Sequence, residues 1–180
     1  ETPPALHLNE EQSTAAHRLI ADLSSGKTHL LYGVTGSGKT HVFIRLIDEA
    51  LKQGRQAVLM IPEISLTLQI VNRLYAHYST SLAVLHSGLS LGERYDEWRR
   101  IRSGEARVVI GTRSAVFAPV SAPALFIIDE EQEHTYKSES SPRYHTKDVA
   151  KFRAANHNAL LLLASATPSI ESYYLAKNDF

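Results

Sequence analysis

Cysteine is missing altogether from the 180 residues, which excludes a disulfide framework and any thiolate-ligated zinc site within the chain. A cysteine-free sequence also fits a reducing compartment. No apolar run approaches the roughly 20 residues needed to cross a bilayer, so no membrane partner is expected. The opening residues Glu1-Thr2-Pro3-Pro4 have neither the basic start nor the apolar core of a secretion signal, and the expected setting is cytoplasmic. Basic and acidic residues, 19 of each, cancel to a formal net charge of 0. With no global basic field, any contact with nucleic acid has to be local. Internal repeats and low-complexity tracts are absent as well. What is present is an ordinary globular composition, 43% hydrophobic, over a length that suits one domain.

Six short apolar runs, 28–33, 57–61, 82–86, 107–111, 125–128 and 160–164, are bounded by Gly, Pro, Ser or charge and read as buried strands. Between them, Val42, Leu46, Ile47, Ala50 and Leu51 recur at helical spacing over 41–52, and Leu66, Ile70, Leu74 and Tyr78 do so over 66–78. Gly54 and Gly104 stand where helix C-caps belong, and Asn9 with Gln12 forms the pattern of a capping box opening a first helix. Near-continuous apolar strands alternating with helices predict a doubly wound α/β fold, a mainly parallel sheet with helices on both faces. The expected organisation is an N-terminal segment, 1–27, followed by a nucleotide-binding lobe over 28–180. A single long polar stretch, 130–146, interrupts the pattern, and loops of that length in compact domains generally bind something.

Gly33-Val34-Thr35-Gly36-Ser37-Gly38-Lys39-Thr40 is a P-loop (Walker A) pattern. Its glycines let successive backbone amides converge on an anion, and the helix that follows aims its N-terminal amides and positive dipole end at phosphates. Lys39 brings a compact cation to the β- and γ-phosphates, and the Thr40 hydroxyl is a hard ligand for Mg²⁺. The apolar strand before it and the amphipathic helix after it supply the required context, so ATP with Mg²⁺ is the expected cofactor.

The fifth strand ends in Asp129-Glu130-Glu131-Gln132. An acidic residue at the tip of a parallel strand sits where sheet ligands bind. Asp129 is placed to hold Mg²⁺, and Glu130 to orient and deprotonate the water attacking the γ-phosphate. A solvated turn is the plainer reading. Ser165-Ala166-Thr167-Pro168 follows the sixth strand. Its hydroxyls suit hydrogen bonds to the acidic box, and Thr167 before Pro168 equally suits a helix start.

Taken in order, the P-loop, the Asp-Glu-Glu-Gln box and Ser-Ala-Thr resemble the signature of superfamily-2 helicases with DEAD/DEAH-like boxes. Pro62-Glu63-Ile64-Ser65-Leu66-Thr67, His86-Ser87-Gly88, Ile110-Gly111-Thr112-Arg113-Ser114-Ala115, and Tyr136-Lys137 with Arg143-Tyr144-His145 resemble, more narrowly, the PriA family of replication-restart DNA helicases. The resemblance covers the chain from about residue 8 onward. It implies the first RecA-like lobe of a 3′-to-5′ DNA helicase that couples ATP hydrolysis to translocation on single-stranded or forked DNA. It also implies a second lobe in the parent chain, supplying a catalytic arginine, and primosome or single-strand-binding proteins as partners. The 180 residues read as a piece of a longer protein.

The same resemblance implies roles for particular residues. Gln12 falls where such helicases read the adenine edge, with its capping role as the rival account. Thr67, Thr112 and Ser114 would grip backbone phosphates, with Arg113 adding charge or standing in a surface ion pair. In the polar loop, Tyr136, Tyr144 and His145 would stack on bases while Lys137 and Arg143 meet phosphates; the alternative is that the tyrosines tuck against the domain. Gln132 stands where the family often has His, which leaves a coupling hydrogen-bond partner that does not titrate. Another superfamily-2 translocase, a nucleotide- or DNA-binding module without turnover, and a small-molecule kinase are the competing classes. The Ser-Ala-Thr segment and the long polar loop weigh against the kinase.

Overall fold

All six apolar runs form strands, joined by helices that follow their amphipathic periodicity. The computed structural model describes residues 7–33 and 38–178. In chain order they run α1 (Glu10–Ala21), β1 (Thr28–Tyr32), α2 (Lys39–Lys52), β2 (Gln56–Met60), α3 (Leu68–Tyr78), β3 (Leu82–Leu85), α4 (Leu91–Ser103), β4 (Val108–Gly111), β5 (Pro123–Ile128), α5 (Thr146–His157), β6 (Leu160–Ser165) and α6 (Ile170–Lys177). Short 3₁₀ turns at Glu63–Ser65, Arg113–Phe117 and His134–Tyr136 lie in the loops after β2, β4 and β5.

The strands make one sheet in the order β1-β6-β5-β2-β4-β3, and every pairing is parallel. Alternate residues of each strand feed two cores. Ala57, Leu59 and Ile61 join Ala16 and Leu19 of α1, Val42, Leu46 and Ile47 of α2 and Leu74 of α3 on one face. Val58 and Met60 join Ile101 of α4 and Ala150 and Ala154 of α5 on the other. This double burial is why the strands read as apolar runs rather than as an alternating pattern.

The helix ends expected at Asn9, Gly54 and Gly104 hold. Asn9 and Gln12 form a reciprocal capping box, each side chain accepting from the other's backbone N–H at 2.9 and 2.8 Å. Gly104 closes α4 with φ 80° and Gly54 lies just past α2 with φ 72°, the left-handed backbone that glycine tolerates. Two starts differ from expectation. α3 begins at Leu68 rather than Leu66, because the Thr67 hydroxyl caps it and the preceding residues coil into a 3₁₀ turn. α6 begins at Ile170 with Ser169 as its cap, not at Thr167-Pro168.

Candidate nucleotide and nucleic-acid site

Strand register brings the sequence motifs to one edge. Tyr32 is level with Ser165, Ile128 with Leu163 and Met60, Met60 with Gly111, and Gly111 with Leu85. The loops leaving these positions emerge together at the carboxyl end of the sheet, where open α/β sheets bind ligands. They are sorted along it. The P-loop, the Ser-Ala-Thr segment and the acidic box leave β1, β6 and β5; the two segments expected to grip a nucleic-acid backbone, around Thr67 and over Thr112–Ser114, leave β2 and β4, and His86-Ser87-Gly88 leaves β3.

At the first half, Gly33 N–H donates to the Ser165 carbonyl at 3.1 Å, and Gly38 turns into α2 with φ 76°. Val34, Thr35, Gly36 and Ser37, all named as phosphate-cradling residues, lie outside the described residues. Lys39 Nζ donates to the Gly33 carbonyl at 3.1 Å and to Glu130 Oε1 at 3.3 Å. A pocket of about 240 Å³ beside it is lined by Asn9, Gln12, Tyr32, Gly33, Lys39 and Val42. Gln12 Nε2 packs so closely on Gly38 that a Cβ there would lie 2.4 Å away. The capping box thus sets the Gln12 amide on the rim of the P-loop.

The acidic box is wired in a definite way. Glu130 adopts φ 47°, a left-handed conformation uncommon for a residue with a side chain, which turns the chain sharply at the strand tip. Its Oε2 accepts from Gln132 Nε2 at 3.0 Å. Gln132 Oε1 accepts from the Ser165 hydroxyl at 2.5 Å, and the Ser165 oxygen accepts from Thr167 N–H at 2.9 Å. A continuous path of hydrogen bonds therefore joins Lys39, Glu130, Gln132, Ser165 and Thr167. Gln132 works at both ends because its amide donates with one atom and accepts with the other.

Asp129 Oδ1 accepts from Glu130 N–H at 3.0 Å. Burial, reinforced by the neighbouring Glu130 charge, pushes its carboxyl up to about 6, with Lys39 only partly opposing. Two adjacent carboxylates sharing one lysine leave local negative charge that suits a divalent cation. Asp129 and the Thr40 hydroxyl, at the start of α2, are the residues with the chemistry to hold Mg²⁺. Among the described residues, no group of three or more His, Cys, Asp or Glu is placed to hold a metal ion.

Glu131, assigned no role from the sequence, is the box's anchor. Its side chain is fully enclosed and accepts from Lys147 Nζ at 2.7 Å, Ser169 N–H at 2.7 Å and the Ser172 hydroxyl at 3.0 Å. Burial acts to raise its carboxyl, but Lys147 and the Ser169 amide outweigh that and hold it below the usual range. Glu131 ties the box to α5 and to the first turn of α6, and this bond explains why α6 is capped at Ser169.

The polar loop requires a correction. Tyr136, expected to stack on bases, is fully buried. Its hydroxyl donates to the Asp129 carbonyl at 2.6 Å and lies 3.1 Å from the Met60 carbonyl, joining the ends of β5 and β2. Its ring is part of the second core. His145 is likewise engaged: Nδ1 accepts from Lys147 N–H at 3.2 Å as the cap of α5, and burial lowers its pKa. Lys137 and Arg143 are exposed, on a short hairpin closed by Ser138 N–H donating to the Tyr144 carbonyl at 2.8 Å. Tyr144 is half-buried, edge-on to Phe117 with ring centroids 4.9 Å apart.

Arg113 makes no ion pair among the described residues; it donates to the Lys137 and Thr135 carbonyls at 2.8 and 3.3 Å, with its guanidinium 6.0 Å from the Tyr144 ring centroid. It thereby pins the polar loop to the turn after β4. Ser114 and Thr67 are exposed, whereas Thr112 is buried, at 8% exposure. The sequence reading missed Phe117, whose only signal was an aromatic two residues past the 111–115 motif.

The pattern of the DEAD/DEAH box helicase family matches residues 9–175. The chain is 49% identical over 174 residues to the replication restart protein PriA of Bacillus subtilis (strain 168), covering 96% of this chain and 22% of that protein. It is 44% identical over 175 residues to PriA of Chlamydia pneumoniae, covering 95% and 23%. The chain thus spans about a fifth to a quarter of the length of these relatives. Among solved structures it matches RecG bound to a three-way DNA junction, with a TM-score of 0.66, 27% identity, and coverage of 94% of this chain and 22% of that one. The DEAD-box helicase Mss116 bound to ssRNA and UDP-BeF gives a TM-score of 0.66 at 19% identity, covering 95% and 38%; that likeness concerns the fold alone. No helix among the described residues is long and apolar enough to cross a membrane.

Proposed function

The chain belongs to the DEAD/DEAH box helicase family, is similar to the first lobe of the replication restart proteins PriA, and on that footing we propose that it is the ATP-binding lobe of a 3′-to-5′ DNA helicase. In this reading it couples ATP hydrolysis to movement along single-stranded DNA during replication restart, working with a second lobe that closes over the nucleotide. The observation that carries the proposal is the hydrogen-bond path from Lys39 through Glu130 and Gln132 to Ser165 and Thr167.

Lys39 donates to phosphate oxygens, which compete with the Glu130 carboxylate for the same ammonium and so free Glu130 to take a proton from the attacking water. Thr40 and Asp129 would hold Mg²⁺, which supplies neutralisation of phosphate charge when bound. Gln12, on the P-loop rim, reads the adenine edge. Because Glu130 and Ser165 share Gln132, loss of the γ-phosphate is felt at both, and the signal passes to the segment that would face the second lobe. Single-stranded DNA lies over Thr67, the Thr112–Ser114 turn, Lys137, Arg143 and Tyr144.

The test joins the chain to its second lobe and follows displacement of duplexes carrying a 3′ or a 5′ single-stranded tail. Wild type is expected to unwind only the substrate loaded for 3′-to-5′ movement, and Ser165→Ala to retain ATP turnover while losing most unwinding. Unwinding in the opposite sense, or a Ser165→Ala variant that unwinds normally, contradicts the reading.

A further inference from the structure

At the far end of the sheet from the P-loop, between the turn after β3, α4 and the 3₁₀ turn after β4, lies a pocket of about 260 Å³ lined by Leu85, His86, Arg94, Trp98, Ser114 and Phe117 among others. Its two aromatic walls are unusually open: Trp98 is 37% and Phe117 52% exposed. Each ring is braced on another side. The Arg102 guanidinium lies 5.0 Å from the Trp98 centroid, and Tyr144 meets Phe117 edge-on. A volume below the roughly 300–1,000 Å³ of whole-ligand pockets suits one planar group rather than a complete nucleotide. β1 and β3 are opposite edges of a six-stranded sheet, about 24 Å apart at the usual strand spacing, so a nucleotide on the P-loop does not reach it.

The charges decide what kind of planar group. Among the described residues lining the pocket, Arg94 is the one formally charged side chain, with His86 also on the wall and no carboxylate. The neighbouring groove, larger at about 750 Å³, has apolar walls that also carry four carboxylates, Glu63, Glu93, Asp96 and Glu97, which disfavour a phosphate backbone. A strand passing over Ser114 and Arg113 therefore meets a cation and open rings at the Arg94 and Trp98 face of α4, and acid in the adjoining groove along the Glu93, Asp96 and Glu97 face of the same helix.

We propose that this pocket is a base-stacking subsite for single-stranded DNA, seating one unpaired base between Trp98 and Phe117 with its phosphate toward Arg94 and Ser114. The inference rests on the DNA-binding reading above and adds an aromatic step that Tyr144 continues. Stacking on aromatic side chains suits it because every base has a π-face, so the subsite holds a strand without reading sequence.

Trp98 is the only tryptophan of the chain, so its emission reports this pocket alone. The 180-residue chain is titrated with short oligothymidylate, with anisotropy of an end-labelled strand reporting binding and Trp98 emission, with unlabelled strand, reporting the pocket. Binding is expected to quench Trp98, and an abasic strand of equal length to bind without quenching. Phe117→Ala is expected to weaken affinity roughly 5- to 100-fold, and Phe117→Tyr, which keeps a ring, to restore it. Binding seen by anisotropy with Trp98 emission unmoved, or Phe117→Ala binding as tightly as wild type, overturns the subsite and leaves the DNA reading standing. No binding by wild type at all removes that reading and the subsite with it.

Discussion

Two tyrosines eight positions apart in sequence have opposite duties, and the difference is visible only in three dimensions. Tyr136 is enclosed and bonds the carbonyl of Asp129; Tyr144 is half-buried beside Arg113 and Phe117. Tyr136→Phe leaves two strand-end carbonyls short of a donor and is expected to cost about 1–3 kcal/mol of folding stability. Tyr144→Ala is expected to cost less stability and to weaken single-stranded DNA binding instead. Urea melts paired with an anisotropy titration check both, and the reverse pattern contradicts the assignment. Asp129 gives a second test. Its folded value of about 6 lies above that of an unfolded carboxyl, so the folded state holds the proton more tightly, and ionisation costs stability as pH rises from about 4 to about 6. Asp129→Asn keeps the acceptor for Glu130 N–H and removes that cost. It is expected to be more stable than wild type by about 1–3 kcal/mol near neutral pH, with the advantage fading toward pH 4, while nucleotide turnover falls. Equal stabilities of the two proteins across that range in urea melts contradict the argument.

Among elements, the strands were legible because burial on both faces forces apolar residues into every position, and the P-loop because phosphate binding fixes glycine, lysine and threonine at set spacings. Cap positions were less so. Thr167 and Ser169 are both acceptable caps, and the choice is made by a tertiary contact, Glu131 accepting from Ser169 N–H, which no local pattern contains. Burial of Tyr136 was hidden for the same reason: a ring in a polar loop is drawn inward by the strand end it meets. Phe117 escaped notice because its partner, Tyr144, lies 27 positions away. Glu131 is where this shared wiring can be measured. Glu131→Ala leaves the largely buried Lys147 without its carboxylate, along with the Ser169 amide and the Ser172 hydroxyl, and is expected to destabilise the fold by about 3–5 kcal/mol. Its carboxyl sits below the usual range, so its contribution is present above the unfolded carboxyl value and is lost as pH falls through the lower folded value. The gap between Glu131→Ala and wild type in urea melts should therefore narrow in acid; a gap that stays constant from neutral to acid pH argues against an ion pair.

For the molecule as a whole, a net charge of 0 conceals a division of labour along the sheet edge. Nucleotide chemistry gathers over β1, β6 and β5, and the cations and open rings proposed to meet DNA gather over β5, β4 and β3, with the acidic box and its loop spanning the boundary. In the proposed mechanism one lobe seats the phosphate but does not turn it over at a motor's rate without the second lobe's arginine. The claim on which everything else depends is that Lys39 and the acidic box meet one Mg·nucleotide at the P-loop. The direct measurement is an NMR titration of the 180-residue chain with a Mg·ATP analogue, in wild type and Lys39→Ala. The account predicts saturable shifts at Gly33, Lys39, Thr40, Gln12 and the 129–132 box in wild type, and their loss in Lys39→Ala. Shifts centred elsewhere, or unchanged in the variant, would contradict it.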